Sequence, residues 1–274
     1  MIRNLIFILA ITFSFTATAQ MIGDLDDVEK FRAETKQVNQ FFRRFNGEEN
    51  EDGKRFYPGD RDYRNSSLRK SFVRMLFDHE NQGLDRQLAR EFMSEVIDRS
   101  NPAYLDFHQD NWFAQVNATF LYEGQEKQAI LFLKVEQEKL GYKWVISRIF
   151  FEPFLNYFIK DTTYNKKFLH PMSHELDFMN LKKAFSDQDS VEQYVDKGFR
   201  PDYLTLFLYE IRKKRLSFLS VKNVKFHFFQ IDNWYFEVSD FNRPGMNTGW
   251  LISNLVKYKP EDKKMLKDFI FYEY

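Results

Sequence analysis

The sequence predicts an α+β fold made of two similar units, each with N-terminal helices packed on a curved antiparallel sheet that ends in a three-strand meander. Apolar residues first recur at the three- and four-residue spacing of helices and then alternate at the two-residue spacing of strands, and this order occurs twice. A short segment in the last strand of the first unit also matches one in the last strand of the second. We therefore expect two related domains, at residues 20–155 and 156–274.

Three helices are predicted at the start of the first unit. Residues 27–46 carry one apolar stripe and Gly47 is suited to end the helix; the stripe consists of Val28, Phe31, Val38, Phe42 and Phe45. A second helix is predicted to have Ser66 or Ser67 as its N-terminal cap, and a third to span residues 85–98. These helices supply one apolar side each to cover a sheet.

The first meander follows the helices. From Trp112 to Tyr122 every second residue is apolar, which predicts a long half-buried strand. Gly124 marks a turn before a second alternating strand over residues 129–135, and Gly141 marks a turn into a third. Consecutive strands joined by such short turns pair antiparallel.

The second half repeats this order. Helices are predicted to begin near Pro171 and Pro201, because proline favours the first helical turn. Strands are then predicted near residues 221–231, 234–241 and 249–258. The sequence of the second half thus predicts the same layers as the first, with helices packed on an antiparallel sheet.

A short internal match supports a duplication. Trp144–Ile149 aligns with Trp250–Leu255 at an offset of 106 residues, and the same offset places Trp112 over Phe218. We expect the boundary between the units near residues 156–168, where no glycine- or proline-rich linker occurs. The two units should therefore pack together rather than be loosely tethered.

Residues 1–19 predict export. Arg3 precedes an apolar run over residues 5–15 and the small-x-small motif Ala17-Thr18-Ala19, which is the order of a cleavable secretory signal and leaves Gln20 at the mature N-terminus. The run is shorter than the ~20 apolar residues that a spanning helix requires, so an uncleaved anchor is the weaker alternative. We expect a periplasmic or secreted protein with no transmembrane segment after cleavage.

Composition excludes several functional classes. The chain has no cysteine, which rules out a lipid anchor at the cleavage site, disulfides, thiol catalysis and zinc–thiolate sites. Aromatic residues make up 18% of the chain, so a large apolar core takes the place of disulfides. Removing Arg3 from 40 basic residues leaves 39 against 40 acidic ones. A nearly neutral chain does not attract nucleic acid, and we expect no such partner.

The order of elements resembles that of the NTF2-like (cystatin-like, SnoaL-like) superfamily, present here twice. The resemblance rests on two pairs of segments: 28–45 with 112–151, and 174–185 with 221–256. Family members usually carry a further strand pair before the meander, which the sequence does not place. The resemblance implies a cone between a curved sheet and its helices, used for small-molecule binding, isomerase or dehydratase chemistry, or protein association. It therefore widens the choice of function.

Few residues suggest a metal or anion site. His170 and His174 have a spacing that can bind a metal, but Pro171 places the helix start between them, which favours a capping or core-edge role. The basic run Arg212–Arg215 lies late in a predicted helix, where cations complement the helix dipole. We expect no metal and no cofactor.

The candidate catalytic residues are also isolated. Glu152 lies among aromatic residues, and Asp106 and His108 flank Phe107, but none has a recognisable partner at a fixed spacing. We expect no two of these groups, or of the two histidines above, to meet within hydrogen-bonding distance in one pocket. His227 alternates with phenylalanines, which predicts a place on the wetter face of its sheet.

The sequence thus favours an exported, non-enzymatic binding or interaction module whose partner is an unknown protein or a small apolar ligand. The alternative is a small-molecule enzyme of the NTF2-like type that uses a carboxylate or histidine in a cavity. An accessory subunit of an envelope assembly is a third possibility that the sequence does not separate from the first. No residue is assigned a catalytic, cofactor-binding or metal-binding role.

Overall fold

A computed structural model describes residues 38–50, 52–139, 141–155, 157, 181–186, 191, 194–196, 198–244 and 247–272. The predicted signal peptide, the start of the first helix, His170 and His174 lie outside these residues. Among the described residues, no helix has the length and apolar character needed to cross a bilayer.

The predicted α+β class is confirmed: helices pack on a six-stranded, curved antiparallel sheet. The described part of helix α1 covers residues 38–46. The other helices are α2 (Ser66–Met75), α3 (Arg86–Val96), α4 (Glu152–Leu155), α5 (Leu181–Phe185), α6 (Tyr203–Arg212) and α7 (Lys263–Ile270), the last after a 3₁₀ turn at Pro260–Asp262. The strands are β1 (Trp112–Tyr122), β2 (Gln125–Glu138), β3 (Gly141–Phe150), β4 (Leu216–Phe228), β5 (Trp234–Phe241) and β6 (Gly249–Lys257).

The two predicted meanders join edge to edge in one sheet. The strand order is β3-β2-β1-β4-β5-β6, and every neighbouring pair is antiparallel. The central pair, β1 with β4, extends from Trp112 opposite Phe228 to Tyr122 opposite Leu216. The strands of both halves thus share one hydrogen-bonded ladder. The division into two domains stays a prediction, since the expected boundary lies largely outside the described residues.

The sheet has an approximate twofold arrangement about its centre. Asn117 of β1 lies opposite Asn223 of β4, 106 residues later, and its Nδ2 donates to the Asn223 Oδ1 at 2.6 Å. The same offset of 106 residues aligns the two tryptophan segments. When two repeats are related by a twofold axis between paired strands, the residue next to the axis in one repeat pairs with the corresponding residue of the other. Trp144 of β3 and Trp250 of β6 lie on the two outermost strands, and both rings contact Phe226 on the same face. The predicted repeat requires this placement.

A β-bulge recurs at the same place in each half. In β3 the register shifts at Ser147, whose hydroxyl donates to the Phe132 carbonyl at 3.0 Å. In β6 the register shifts at Ser253, whose hydroxyl donates to the Glu237 carbonyl at 3.3 Å. A bulge bends and twists its strand locally, so the two outer strands curve alike.

One face of the sheet, the helix face, carries the main core. Alternate residues of the central strands point toward α1, α2, α3 and α6, as a half-buried sheet requires. The Phe42 ring of α1 packs edge-on against Trp112 and Phe228, and the Phe207 ring of α6 packs edge-on against Phe120. Each fully buried large side chain contributes about 1.5–3 kcal/mol, so these aromatic contacts supply the stability that disulfides supply elsewhere.

Arg69 of α2 forms hydrogen bonds with the ends of other helices. It is a buried charged residue, with only 1% of its surface exposed. Its guanidinium donates to the carbonyls of Phe45 at the end of α1 (2.8 Å), of Val96 at the end of α3 (2.9 Å), and of Ala103. Burial lowers the pKa of Arg69 to about 10, so the group stays charged at neutral pH. The carbonyls at helix C-termini are negative dipole ends without intrahelical partners, and they compensate the buried charge.

Gly47 makes this arrangement possible. It ends α1 at φ 74°, with the amides of Gly47 and Glu48 bonded back to the carbonyls of Arg44 and Arg43. A Cβ at this position would lie 3.3 Å from the Arg69 Cβ, which is closer than ordinary contact. Glycine is therefore needed both for the backbone conformation and for the approach of Arg69.

We predict that Arg69→Met lowers the free energy of unfolding by about 2–5 kcal/mol, because the carbonyls of Phe45, Val96 and Ala103 each lose a hydrogen bond from the guanidinium. Arg69→Lys should lose much of the same stability, since an ammonium group cannot replace the guanidinium fork. Chemical denaturation measures both. The matched control is Arg74→Met, an exposed arginine of the same helix, which should cost less than about 1 kcal/mol. Equal losses at both positions would contradict the role given to Arg69.

Candidate functional site

Helix α7 is the element around which the candidate site is built, and it was not predicted above. Its signals are nevertheless local. Pro260 opens the preceding turn, Glu261 and Asp262 provide acidic residues at the start, and Leu266 and Ile270 repeat at the four-residue helical spacing. The C-terminal residues thus carry the usual sequence signals of a helix.

The helix packs on the second face of the sheet, which we call the α7 face. Leu266, Ile270 and Phe271 lie against a separate buried cluster formed by Phe113, Phe132, Phe229 and Tyr235. The Phe271 ring lies 4.7 Å from the Phe113 ring and 4.9 Å from the Phe132 ring. Contacts with β1, β2, β5 and the residue that follows β4 therefore fix the position of α7.

An apolar groove of about 910 Å³ runs between α7 and the end of β6. Two α7 side chains beside it are largely exposed, Met265 at 67% and Phe269 at 69%. Most of the groove surface is apolar; the lining residues are Asn233, Val256, Lys257, Tyr258, Lys259, Pro260, Asp262, Met265, Leu266 and Phe269. Exposed apolar surface in a concave site is the usual mark of a binding surface.

The charged residues of the groove lining are two lysines, Lys257 and Lys259, and one aspartate, Asp262. The Lys257 Nζ donates to Glu91 at 2.6 Å and to Glu95 at 2.8 Å, and these bonds raise the pKa of Lys257. Lys259 has no carboxylate within salt-bridge distance among the residues that the structure describes. Lys259 is thus the rim cation whose charge remains available to a ligand.

Beside α7 lies a buried polar network centred on His227, which is 2% exposed. The two ring nitrogens are bonded: Nε2 to the Gln115 Oε1 and Nδ1 to the Tyr235 hydroxyl, both at 2.9 Å. Because an amide oxygen only accepts, Nε2 carries the proton and Nδ1 accepts from Tyr235. Burial lowers the pKa of His227 to about 4, so the ring is neutral at pH 7. The prediction that His227 is on a wetter surface was wrong: Phe113 and Tyr235 flank it on the face that α7 covers.

Glu237 of β5 lies opposite His227 of β4, on the same face of the sheet. Its Oε1 accepts from the Lys225 Nζ at 2.9 Å and from the Ser239 hydroxyl at 3.3 Å. It also lies 3.1 Å from the Ser253 hydroxyl, whose one proton it shares with the Glu237 carbonyl. Burial alone would raise the pKa of Glu237, but the hydrogen bond and charge of Lys225 outweigh it and lower the pKa. Glu237 is therefore an ionised carboxylate held by hydrogen bonds to its Oε1, rather than a proton donor.

Of the candidate catalytic residues named from the sequence, those that the structure describes, Asp106, His108 and Glu152, do not assemble a catalytic pair. Asp106 and His108 line one polar cleft of about 670 Å³, and about half of each side chain is exposed. The His108 Nδ1 and the Asp106 Oδ1 are 3.9 Å apart, beyond hydrogen-bonding distance. Glu152 begins α4 as an exposed residue, outside the lining of that cleft.

The basic run ends α6 as its position predicted. Arg212 is the last helical residue and Lys213 the C-cap, while Arg215 binds Glu210 through two hydrogen bonds of 2.7 and 2.6 Å. Within the described part of the chain, no three His, Asp or Glu side chains are grouped to hold a metal. His170 and His174, the pair with metal-binding spacing, lie outside that part.

Comparison of the chain with protein-family models, with curated proteins and with solved structures finds no match. The comparisons therefore assign neither a family nor a function, and the NTF2-like relationship stays a prediction. The geometry of the α7 face carries the functional argument.

We predict that His227 makes stability depend on pH between about 6.5 and 4. The unfolded chain takes up a proton on this histidine near pH 6.5, whereas the folded chain resists until about pH 4. Stability is therefore fully present above about pH 6.5 and is lost as the pH falls, by roughly 3 kcal/mol at most.

Denaturant unfolding across this pH range tests the prediction. His227→Gln should be less stable at pH 7 and should lose less stability than the wild type on acidification, because glutamine does not titrate. His108→Gln is the control at a half-exposed histidine and should retain the wild-type pH profile. A His227→Gln profile parallel to that of the wild type would contradict the prediction.

Proposed function

We propose that the protein is an exported, non-enzymatic binding module whose groove beside α7 receives a small apolar ligand bearing a negative charge. The observation that carries the proposal is the apolar groove of about 910 Å³, flanked by the exposed Met265 and Phe269. Small-molecule sites are typically concave, mostly apolar and about 300–1,000 Å³ in volume. A module with this groove needs no catalytic group.

The groove also indicates the character of the ligand. Val256, Tyr258 and Leu266 provide an apolar wall, which favours a hydrocarbon or aromatic body. Lys259 at the rim favours an anionic end group, since its charge has no carboxylate partner in the described part of the chain. An apolar molecule with a carboxylate or sulfonate end fits both features.

The enzymatic alternative has less support from the described residues. General acid–base chemistry needs a titratable group in a water-poor site within reach of a second polar group. The two nitrogens of the enclosed His227 are used by Gln115 and Tyr235, while the cleft residues Asp106 and His108 are open to solvent. A binding role therefore fits the described geometry better.

Binding of anilinonaphthalene sulfonate, an aromatic anion that fluoresces in apolar sites, tests the proposal. We predict saturable binding that Met265→Ser weakens at least about fivefold, because the substitution removes apolar contact area. Lys259→Gln should weaken the sulfonate probe but leave a neutral naphthylamine probe within about twofold, since only the charged probe uses the lysine.

The matched control is Leu208→Ser, which removes an exposed apolar side chain from α6, outside the groove. This variant should bind the probe like the wild type, and circular dichroism should show each variant folded. A loss in Leu208→Ser equal to that in Met265→Ser would contradict the proposed site. Binding of an apolar peptide in place of both small probes would assign the groove to a protein partner instead.

A further inference from the structure

We propose that a second cleft, on the opposite side of α7 from the groove, binds the phosphate group of a small anionic ligand. This cleft has a volume of about 600 Å³ and lies between α7, the start of α6 and the start of β1. Three cationic residues from three different elements line it: Lys134 of β2, Arg148 of β3 and Lys267 of α7. Convergent cations in a concave site concentrate positive potential there.

Aromatic rings fix the positions of two of the cations. The Arg148 guanidinium lies 4.7 Å from the centre of the Phe271 ring, which is itself wedged between Phe113 and Phe132. The Lys267 Nζ lies 5.1 Å from the centre of the Phe229 ring and donates to the Asn111 Oδ1 at 3.2 Å. Because the Phe229 ring belongs to the buried cluster under α7 and the Phe271 ring packs against that cluster, Arg148 and Lys267 need little ordering when a ligand binds.

The acidic residues of the cleft form no salt bridge with its two lysines. The Asp202 carboxylate accepts from the amides of Leu204 and Thr205, and from the Thr205 hydroxyl at 2.6 Å, and so caps α6. Asp110 is the other acidic residue of the lining. Lys134 and Lys267 have no carboxylate within salt-bridge distance among the described residues.

The field around Lys267 is consistent with an anion site. Burial lowers the pKa of Lys267 first, and the nearby charges of Lys263 and Arg148 lower it further, against the opposing charge of Asp110. A bound anion would relieve this repulsion. A phosphate monoester carries a charge of about −1.5 to −2 at neutral pH, so it attracts the lysines Lys134 and Lys267 more strongly than a singly charged carboxylate does.

Calorimetric titration of the purified protein with inorganic phosphate tests the inference, with sodium chloride holding the ionic strength constant. We predict saturable binding that Lys267→Gln and Lys134→Gln each weaken at least about fivefold. Lys267→Arg should retain binding within about threefold, because it keeps the charge. Acetate at the same concentrations should bind more weakly than phosphate.

The matched control is Lys264→Gln on the same helix, since Lys264 is 85% exposed, pairs with Asp268 and lies outside the cleft. It should bind phosphate within about twofold of the wild type. Absence of saturable phosphate binding, or an equal loss in Lys264→Gln, would overturn the inference. Acetate binding as tight as phosphate binding would overturn the assignment to a phosphate group.

Discussion

The antiparallel pairing of β1 with β4 is the constraint on which the rest of the structure depends. Without it the chain would present two three-strand meanders, each with a long exposed edge. The pairing also sets which residues of the two halves become neighbours. It places Phe113 and Gln115 of β1 beside His227 of β4, and so assembles the surface on which α7 packs. The main core, the polar network around His227, the apolar groove and the basic cleft all depend on this register.

The sheet has twofold features at its centre and in its outer strands, whereas the site has none. Asn117 pairs with Asn223, and the bulges at Ser147 and Ser253 recur, although the β4–β5 ladder is shorter than the β1–β2 ladder. Helix α7 follows β6 and covers mainly the apolar part of its face, while the Glu237 region remains polar. A single helix laid across a repeated sheet therefore produces two different clefts, one apolar and one basic. The family resemblance would instead place a ligand between the sheet and the helices on the other face.

Local patterns predicted local structure, and longer-range features were missed. The alternation of apolar and polar residues predicted β5 at residues 234–241 and β1 at its observed bounds, because a half-buried strand requires an apolar residue at every second position. The cap of α2 is Asn65 rather than Ser66 or Ser67, since the Asn65 side chain reaches two amides first. The β1–β4 pairing joins segments about 100 residues apart and has no local signal. The burial of His227 likewise depends on that pairing and on the helix that was not predicted.

Native-state hydrogen exchange tests most directly the claim that β1–β4 pairing joins both halves into one unit. Amides of the β1–β4 ladder, such as those of Val116 and Val224, should be among the most protected and should exchange with one shared free energy that equals the global value. Amides of β2 and β5 should show the same dependence on denaturant. Contradiction would come from protection that differs by several kcal/mol between the halves, with β4–β6 exchanging through an opening that leaves β1–β3 closed.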